Sequence, residues 1–334
     1  MTSRQQPPSD GTGAAQTLRL EPLSPSAPAR LLAGPTDLAG HVDFHGPLPG
    51  HDAAVLLDAV ERSGLTGRGG AAFPTGRKMR AVTENAARSC RPGRRRAAVV
   101  VANGCEGEPA SGKDRTLLAR APHLVLDGIA AAARAVGADQ AHLCLHDDDH
   151  TGIRAVQHAL AERRAQGIDA VDVSITPVPA RYVASEESAL VSLLEGGPAL
   201  PRFTPPRPFE RGVAGSPTLV DNVETLAHVA LIARHGPAWF RGSRAGDAPG
   251  TALVTIGGAV ARPGVYEIPL GITGAELLAR AGGAAEPLQA VLTGGYFGTW
   301  IPESRLAAAR VTPQDLTRAG AAMGAGIFIA LPRA

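Results

Sequence analysis

The chain has 334 residues, 44% of them hydrophobic and 19% charged, with a formal net charge of +2 and three cysteines. That length can support two modest cores, while the near-neutral balance, with basic residues interspersed among acids, leaves no electrostatic footprint for nucleic acid. The odd set of thiols, Cys90, Cys105 and Cys144, offers no paired disulfide frame and fits a reducing, cytoplasmic compartment, and no apolar run reaches the roughly 20 residues of a membrane helix.

Residues 1–50 are rich in Pro, Ser, Gly and Ala and lack the pattern of a secretory signal, so they read as a loosely ordered lead-in. The run DAAVLLDAVERSG predicts a helix leading into the turn GRGG, after which Pro74 and Thr75 can start another helix. The basic cluster Arg91 to Arg96 reads as a solvated loop. AAVVVAN, Ala97 to Asn103, follows as a strand of the uninterrupted apolar kind found in buried parallel sheets. Next come a helix from Pro122 to the Gly137 stop, the strand AHLCLH, a helix from Thr151 to Gly167, and the strand VDVSITPVP. This order predicts an α/β fold with a parallel, Rossmann-like sheet and a ligand in the loops at the carboxyl ends of the strands.

Beyond the helical run NVETLAHVALIARHG, the polar stretch Arg241 to Gly250 reads as a linker. TALVTIGGAV, GVYEI, ITGAELLARAGG, AVLTGG and GIFIAL then give β-β-α-β-β, a compact α+β unit, with Thr273 as N-cap and Glu276 as its capping-box partner. The predicted division is a lead-in over 1–50, an α/β domain over 51–242 and a small α+β domain over 251–334.

Two exceptions to a compositional habit mark the chemistry. The chain has 31 Arg but only two Lys, Lys78 and Lys113, and only three Asn, of which Asn103 and Asn222 lie in motif-like runs. Lys78 closes GRGGAAFPTGRK, where Gly67, Gly69 and Gly70 let backbone N–H groups approach an anion at a helix start, and a flexible ammonium three residues into the helix can return to the same ligand. Lys113 lies in NGCEGEPASGKDR, which sets Asn103, Glu106 and Glu108 at a strand's carboxyl end. A third run, YVASEESAL, places Glu186 and Glu187 where a helix starts, a position that the helix dipole alone would favour for acids. His142, Cys144 and His146 share one strand face, but period-2 spacing spreads such side chains roughly 7 Å apart per step, so they are left out of the site.

Taken together, GLTGRGGAAFPTGRK, NGCEGEPASGKDR, YVASEESALVSLLEG and SPTLVDNVETL resemble the successive flavin-site motifs of the NADH-binding flavoprotein subunit of respiratory complex I, a family shared with some hydrogenase and formate dehydrogenase subunits. The resemblance runs from about Gly64 to Gly242, and VTIGGAVARPGVYEIPLG is similar to the β-grasp, SLBB-like domain that follows. It implies an oxidoreductase in which FMN takes electrons from NAD(P)H or another donor and passes them to a partner. FMN would be surrounded by Gly67, Arg68, Gly69 and Lys78, with Asn103, Glu106, Glu186, Glu187, Val220, Asp221 and Asn222 completing its shell. The resemblance further implies catalytic roles for Glu108, the nicotinamide-side acid, and Glu187, and NADH contacts from Phe73, Glu108 and Arg207. Glycine backbone and a lysine suit the phosphate and the ring edge, and asparagines suit the donor and acceptor pattern of the ribityl chain.

Several positions depart from the family's pattern. Cys105 stands where the family has Asp, Ala72 and Ser185 where it has Gly, and Met79 where it has Trp. TPPRP, Thr204 to Pro208, replaces KPPFP, and Gly112 replaces another aromatic. Base–aromatic stacking is worth roughly 1–3 kcal/mol per base, so with Phe73 remaining and Arg207 stacking only in part, weak and slow use of NADH is expected. The family continues into a helical domain whose four cysteines hold a [4Fe–4S] cluster. With no cysteine after Cys144, this chain is expected to carry no such cluster and to be either truncated or dependent on a partner, an iron–sulfur or membrane subunit that would make it peripheral to the membrane. Two other readings compete: a non-catalytic assembly module that keeps the fold, and a relative of ferredoxin oxidoreductases or cobalamin reductases. The DNVETL run favours the complex I type.

Overall fold

A computed structural model of the protein describes residues 30–89, 97–169, 171–242 and 248–333. Three helices come first, α1 (Leu38–His45), α2 (Ala53–Ser63) and α3 (Thr75–Ser89). Then β1 (Ala98–Asn103), α4 (Lys113–Arg120), α5 (Pro122–Val136), β2 (Ala138–His146), α6 (His150–Gln166), β3 (Asp172–Val178), α7 (Glu187–Leu194), β4 (Thr218–Asn222) and α8 (Val223–Arg241) build a four-stranded parallel sheet in the order β3-β2-β1-β4. Along β1, Val100 and Ala102 enter the core formed with α5 and α8, while Val99 and Val101 enter a second core with Cys144, Val178 and Leu190. Both faces are covered, which is why the sequence shows no polar alternation there. Helices α5 and α8 approach so closely that a Cβ on Gly128 would overlap the Leu226 carbonyl. Helix α8 breaks at Gly236, φ 80° and ψ 168°, just before Pro237.

The second sheet is mixed. Strands β5 (Thr251–Gly258) and β6 (Gly264–Pro269) precede α9 (Gly274–Arg280), and β7 (Leu288–Thr293), β8 (Thr299–Pro302), α10 (Glu303–Ala308), α11 (Pro313–Arg318) and β9 (Ile327–Pro332) complete it in the order β6-β5-β9-β7-β8. Its core gathers Val254, Ile256, Leu277, Val291 and Phe328, while Leu253, next along β5, joins the first core instead. The two units are thus packed together through β5. The expected capping box forms, with Thr273 Oγ1 accepting from the Glu276 N–H and the Glu276 carboxylate accepting from the Thr273 N–H.

Some elements differ from the sequence expectations. Helix α4, strands β4 and β8, and helices α10 and α11 are too short, at four to eight residues, for periodicity to announce them. Helix α6 starts at His150 because the Asp149 carboxylate caps the Gly152 N–H at 3.0 Å, ahead of the expected Thr151. The Arg91 to Arg96 cluster lies outside the described residues, as do 1–29 of the lead-in. Residues 30–50 are not loose: Leu31, Leu32 and Leu38 are buried, α1 packs on α5 and α6, and the Glu267 carboxylate accepts the backbone N–H groups of Arg30, Leu31 and Leu32. Three buried leucines outweigh the turn-rich composition around them.

Candidate functional site

Strand β1 lies between β2 and β4, so the strand order β3-β2-β1-β4 reverses at β1, and Asn103 and Asn222 are paired across that seam at the carboxyl ends. Open parallel sheets bind ligands at such a reversal. A cleft of about 480 Å³ opens there, lined by Gly67, Gly69, Phe73, Lys78, Asn103, Glu186, Glu187, Arg207, Val220, Asp221 and Asn222. A second hollow of about 350 Å³ shares Gly69, Asn103, Glu186 and Asn222 with the first and carries Glu106 and Glu108. Together they match the usual dimensions of a ligand pocket.

The glycine loop is a built turn. The Gly67 N–H donates to the Phe73 carbonyl at 2.8 Å and the Arg68 N–H to Thr225 Oγ1 at 2.9 Å, whereas the N–H groups of Gly69, Gly70 and Ala71 make no hydrogen bond among the described residues. Ala72 holds φ 49°, a left-handed conformation that glycine would enter more freely. Phe73 is half exposed, with the Arg77 guanidinium 5.9 Å above its ring. Helix α3 starts at Thr75 and carries Lys78 to the cleft wall, where the ammonium donates to the Val220 carbonyl and lies 3.6 Å from Glu187. Beside it Asp221 is buried. Burial raises its carboxyl pKa against the opposing charge of Lys78, and its Oδ2 has no hydrogen-bond partner among the described residues.

Arg68, expected at the flavin, turns away from the cleft. Its guanidinium donates to the carbonyls of Pro249 and Thr251 at 3.3 and 3.1 Å, so it binds the second sheet to the first while only its backbone borders the loop. Asn222 lines both hollows, with its amide engaged inside the protein. Its Oδ1 accepts from the Glu224 N–H and from Lys113, and its Nδ2 donates to Asp114 Oδ2 and to the Asn103 carbonyl. All four hydrogen-bonding capacities of the amide are used, leaving none for a ribityl chain. Asn103 is half committed, donating to the Ser185 carbonyl at 2.8 Å and accepting from the Cys105 N–H at 3.1 Å. Glu186 lines the cleft but caps α7, accepting from the Ser188 and Ala189 N–H groups. The Glu106 carboxylate accepts from Ser111 Oγ and the Arg115 N–H, with burial and then the Asp114 charge raising its pKa.

Lys113 answers the second half of the lysine anomaly. Its ammonium, 4% exposed, donates to Asp114 Oδ1 at 2.7 Å, Glu224 Oε2 at 2.9 Å and Asn222 Oδ1 at 3.2 Å. Burial works against that charge, but Asp114, Glu224 and Glu106 outweigh it and hold the pKa above its ordinary value. Glu224 in turn accepts the Leu253 N–H of β5 at 2.8 Å. One network therefore fixes Asn222 at the seam and fastens the second sheet.

Residues 60–231 match the Nuo51 FMN-binding domain, and residues 253–295 match the SLBB domain. The chain belongs to the Nuo51 FMN-binding family. It is 36% identical over 287 residues to the F 2 subunit of the NADH-quinone oxidoreductase of Rhizobium meliloti, covering 82% of this chain and 66% of that one. It is 33% identical over 304 residues to the alpha subunit of the NAD-reducing hydrogenase HoxS of Cupriavidus necator, covering 86% and 48%. A crystal structure of an NAD+-reducing [NiFe]-hydrogenase in the air-oxidized state superposes with a TM-score of 0.75 at 36% identity, covering 87% of this chain and 48% of that one. The chain thus spans between about half and two thirds of the length of these Nuo51-family relatives. Among the described residues, no helix is long and apolar enough to cross a membrane.

Sequence reasoning about the Nuo51 motifs missed what borders Glu108. Its Oε2 accepts the Tyr296 N–H at 2.8 Å, from the loop after β7, and a Cβ at Gly295 would overlap that carboxylate. Tyr182 lies 5.5 Å from Tyr296 and 6.2 Å from Phe297, centroid to centroid. A signal was present: of only three tyrosines in the chain, two meet here.

Proposed function

We propose that this chain is a flavoprotein electron-transfer subunit that binds one FMN noncovalently at the seam between β1 and β4, takes electrons from a reduced pyridine dinucleotide and passes them to a partner redox protein. On this reading residues 51–242 form the FMN unit and 251–334 the smaller unit, and the chain itself carries no iron–sulfur cluster. The carrying observation is the convergence on one cleft of a lysine, the loop N–H groups of Gly69 and Ala71 and a buried carboxylate oxygen, none of these N–H groups or that oxygen having a hydrogen-bond partner among the described residues. These residues fit FMN. The N–H groups of Gly69 and Ala71 and the Lys78 ammonium suit its phosphate and electron-rich ring edge, and the Asp221 carboxylate with the remaining capacity of Asn103 suits ribityl hydroxyls.

FMN, when bound, supplies two-electron acceptance and one-electron release. The chain's part is positioning. Glu187 and the Val220 carbonyl keep the Lys78 ammonium at the cleft wall, and Phe73 and Val220 give apolar flanks that exclude water from a planar ring. Glu108 offers a fixed acceptor, Oε1, for a nicotinamide carboxamide, and Arg207 a cation at the rim. Relatives named as subunits of quinone- and hydrogen-linked oxidoreductases support a partner chain, iron–sulfur or membrane-associated, as the electron outlet.

Visible absorption after incubation with FMN and gel filtration tests this reading. One bound flavin per chain is expected, with Lys78→Met weakening FMN binding more than Lys78→Arg because the charge is lost outright. A folded chain that takes up no flavin is the result that sinks the proposal.

A further inference from the structure

The geometry points to Tyr296 and Phe297, on the loop after β7 of the second sheet, as the stacking surface for a planar ring of the dinucleotide donor, held in place by Glu108. This rests on the reading that the neighbouring cleft takes FMN. The sequence leaves few aromatic groups on the first domain for such a ring, with Gly112 buried and bonded to Thr255 Oγ1 at 3.1 Å and Arg207 where an aromatic was expected. The second sheet supplies the aromatic surface instead. Tyr296 and Phe297 are 65% and 83% exposed although they sit against Tyr182, which itself lines the hollow carrying Glu108.

Three observations favour a flat heterocycle over a simple surface patch. The rings are inclined at 58° and 52° to Tyr182 instead of stacking on it, which leaves their faces uncovered. The loop that carries them is not adrift, because the Tyr296 N–H donates to Glu108 and Gly295, at φ 83°, leaves the room the carboxylate occupies. Tyr182, which both rings contact, lines the hollow that carries Glu108, and that hollow shares Gly69, Asn103, Glu186 and Asn222 with the cleft at the β1–β4 seam. A ring seated on Tyr296 and Phe297 therefore lies beside the Glu108 carboxylate, at the mouth of a hollow whose lining overlaps that of the flavin cleft. Glu108 acts here as a positioning residue for the loop as well as an acceptor.

The test is calorimetric titration of FMN-loaded protein with NAD+, which binds without turnover, for wild type, Tyr296→Ala, Phe297→Ala, the double alanine variant and Phe297→Trp. Both side chains are exposed, so the variants should keep the wild-type melting temperature and FMN-to-protein ratio. Each alanine is expected to weaken NAD+ about tenfold and Phe297→Trp to retain the affinity. Equal NAD+ affinity in wild type and the double variant overturns the inference while the flavin reading stands, as does the absence of NAD+ binding to flavin-loaded wild type. A chain that takes up no FMN instead removes the earlier reading, and this one with it.

Discussion

Replacing Lys113 with Met deletes a buried ammonium and leaves its partners behind. Asp114 and Glu224 are 3% and 1% exposed at their side chains, so water can do little to compensate them, reaching Asp114 only from the hollow it lines. Truncating one member of a buried ion pair costs about 3–5 kcal/mol, and because two carboxylates face the gap the upper part of that range is expected. At a urea slope of about 3 kcal/mol per molar, the unfolding midpoint should drop by at least about 1 M. The pH response gives a second signature. Burial already raises the Glu224 pKa, and Lys113 is the first charge opposing it; without that charge the folded chain holds a proton that the unfolded chain releases. The folded state then binds more protons than the unfolded one above about pH 5, so the variant loses stability, relative to wild type, as pH rises. Urea unfolding at pH 5.5 and pH 8 should therefore show the larger gap at pH 8. A gap below about 1 kcal/mol, the size of an exposed pair, or one that does not grow with pH, would refute the account.

Two further outcomes follow from the geometry. His45 is buried, and burial first, then the charges of His41 and Arg234, lower its pKa to about 4. A histidine depressed in this way stays neutral when folded but takes up a proton when unfolded, so its contribution is intact above pH 6.5 and is lost on acidification towards pH 4. Relative to His45→Gln, the wild type should lose about 3 kcal/mol over that window, and parallel stability curves would show that the imidazole is not held neutral. Gly295→Ala puts a Cβ onto Glu108 Oε2 at a left-handed position, so about 2–3 kcal/mol of destabilisation is expected from strain and the broken Tyr296 bond. A thermal melt unchanged by that substitution would mean that the loop is free of Glu108.

Much of the fold was legible because long periodic segments carry their own signal. β1 read as an apolar run, α5 ran from a first-turn proline to a left-handed glycine, and α9 carried its capping box. The cleft was legible through rarity: a chain that fills 31 of 33 basic positions with Arg keeps Lys only at Lys78 and Lys113. What local sequence could not show was direction. Arg68 stands in the glycine loop, yet its guanidinium follows carbonyls that lie 181 and 183 residues away, and Asn222 spends its amide on partners from β1, α4 and α8. The aromatic border of Glu108 was hidden for the same reason, since the Tyr296 bond joins residues 188 positions apart.

The carboxylate of Glu267 bears on how the chain acquires its structure during synthesis. It receives the backbone N–H groups of Arg30, Leu31 and Leu32 and the Thr251 hydroxyl at 2.7 Å, and nothing else in the described residues bonds those three N–H groups. Arg30 emerges from the ribosome 237 residues ahead of its acceptor, an interval of roughly 10–50 s at bacterial and eukaryotic elongation rates of about 5–20 residues per second. Through that interval Leu31 and Leu32 can reach the first core, but their N–H groups have only water to bond. Residues 30–32 are therefore among the last of the described residues to lock, although they are translated early, and a nascent chain stalled before β6 should expose them to a protease that spares them in the finished protein.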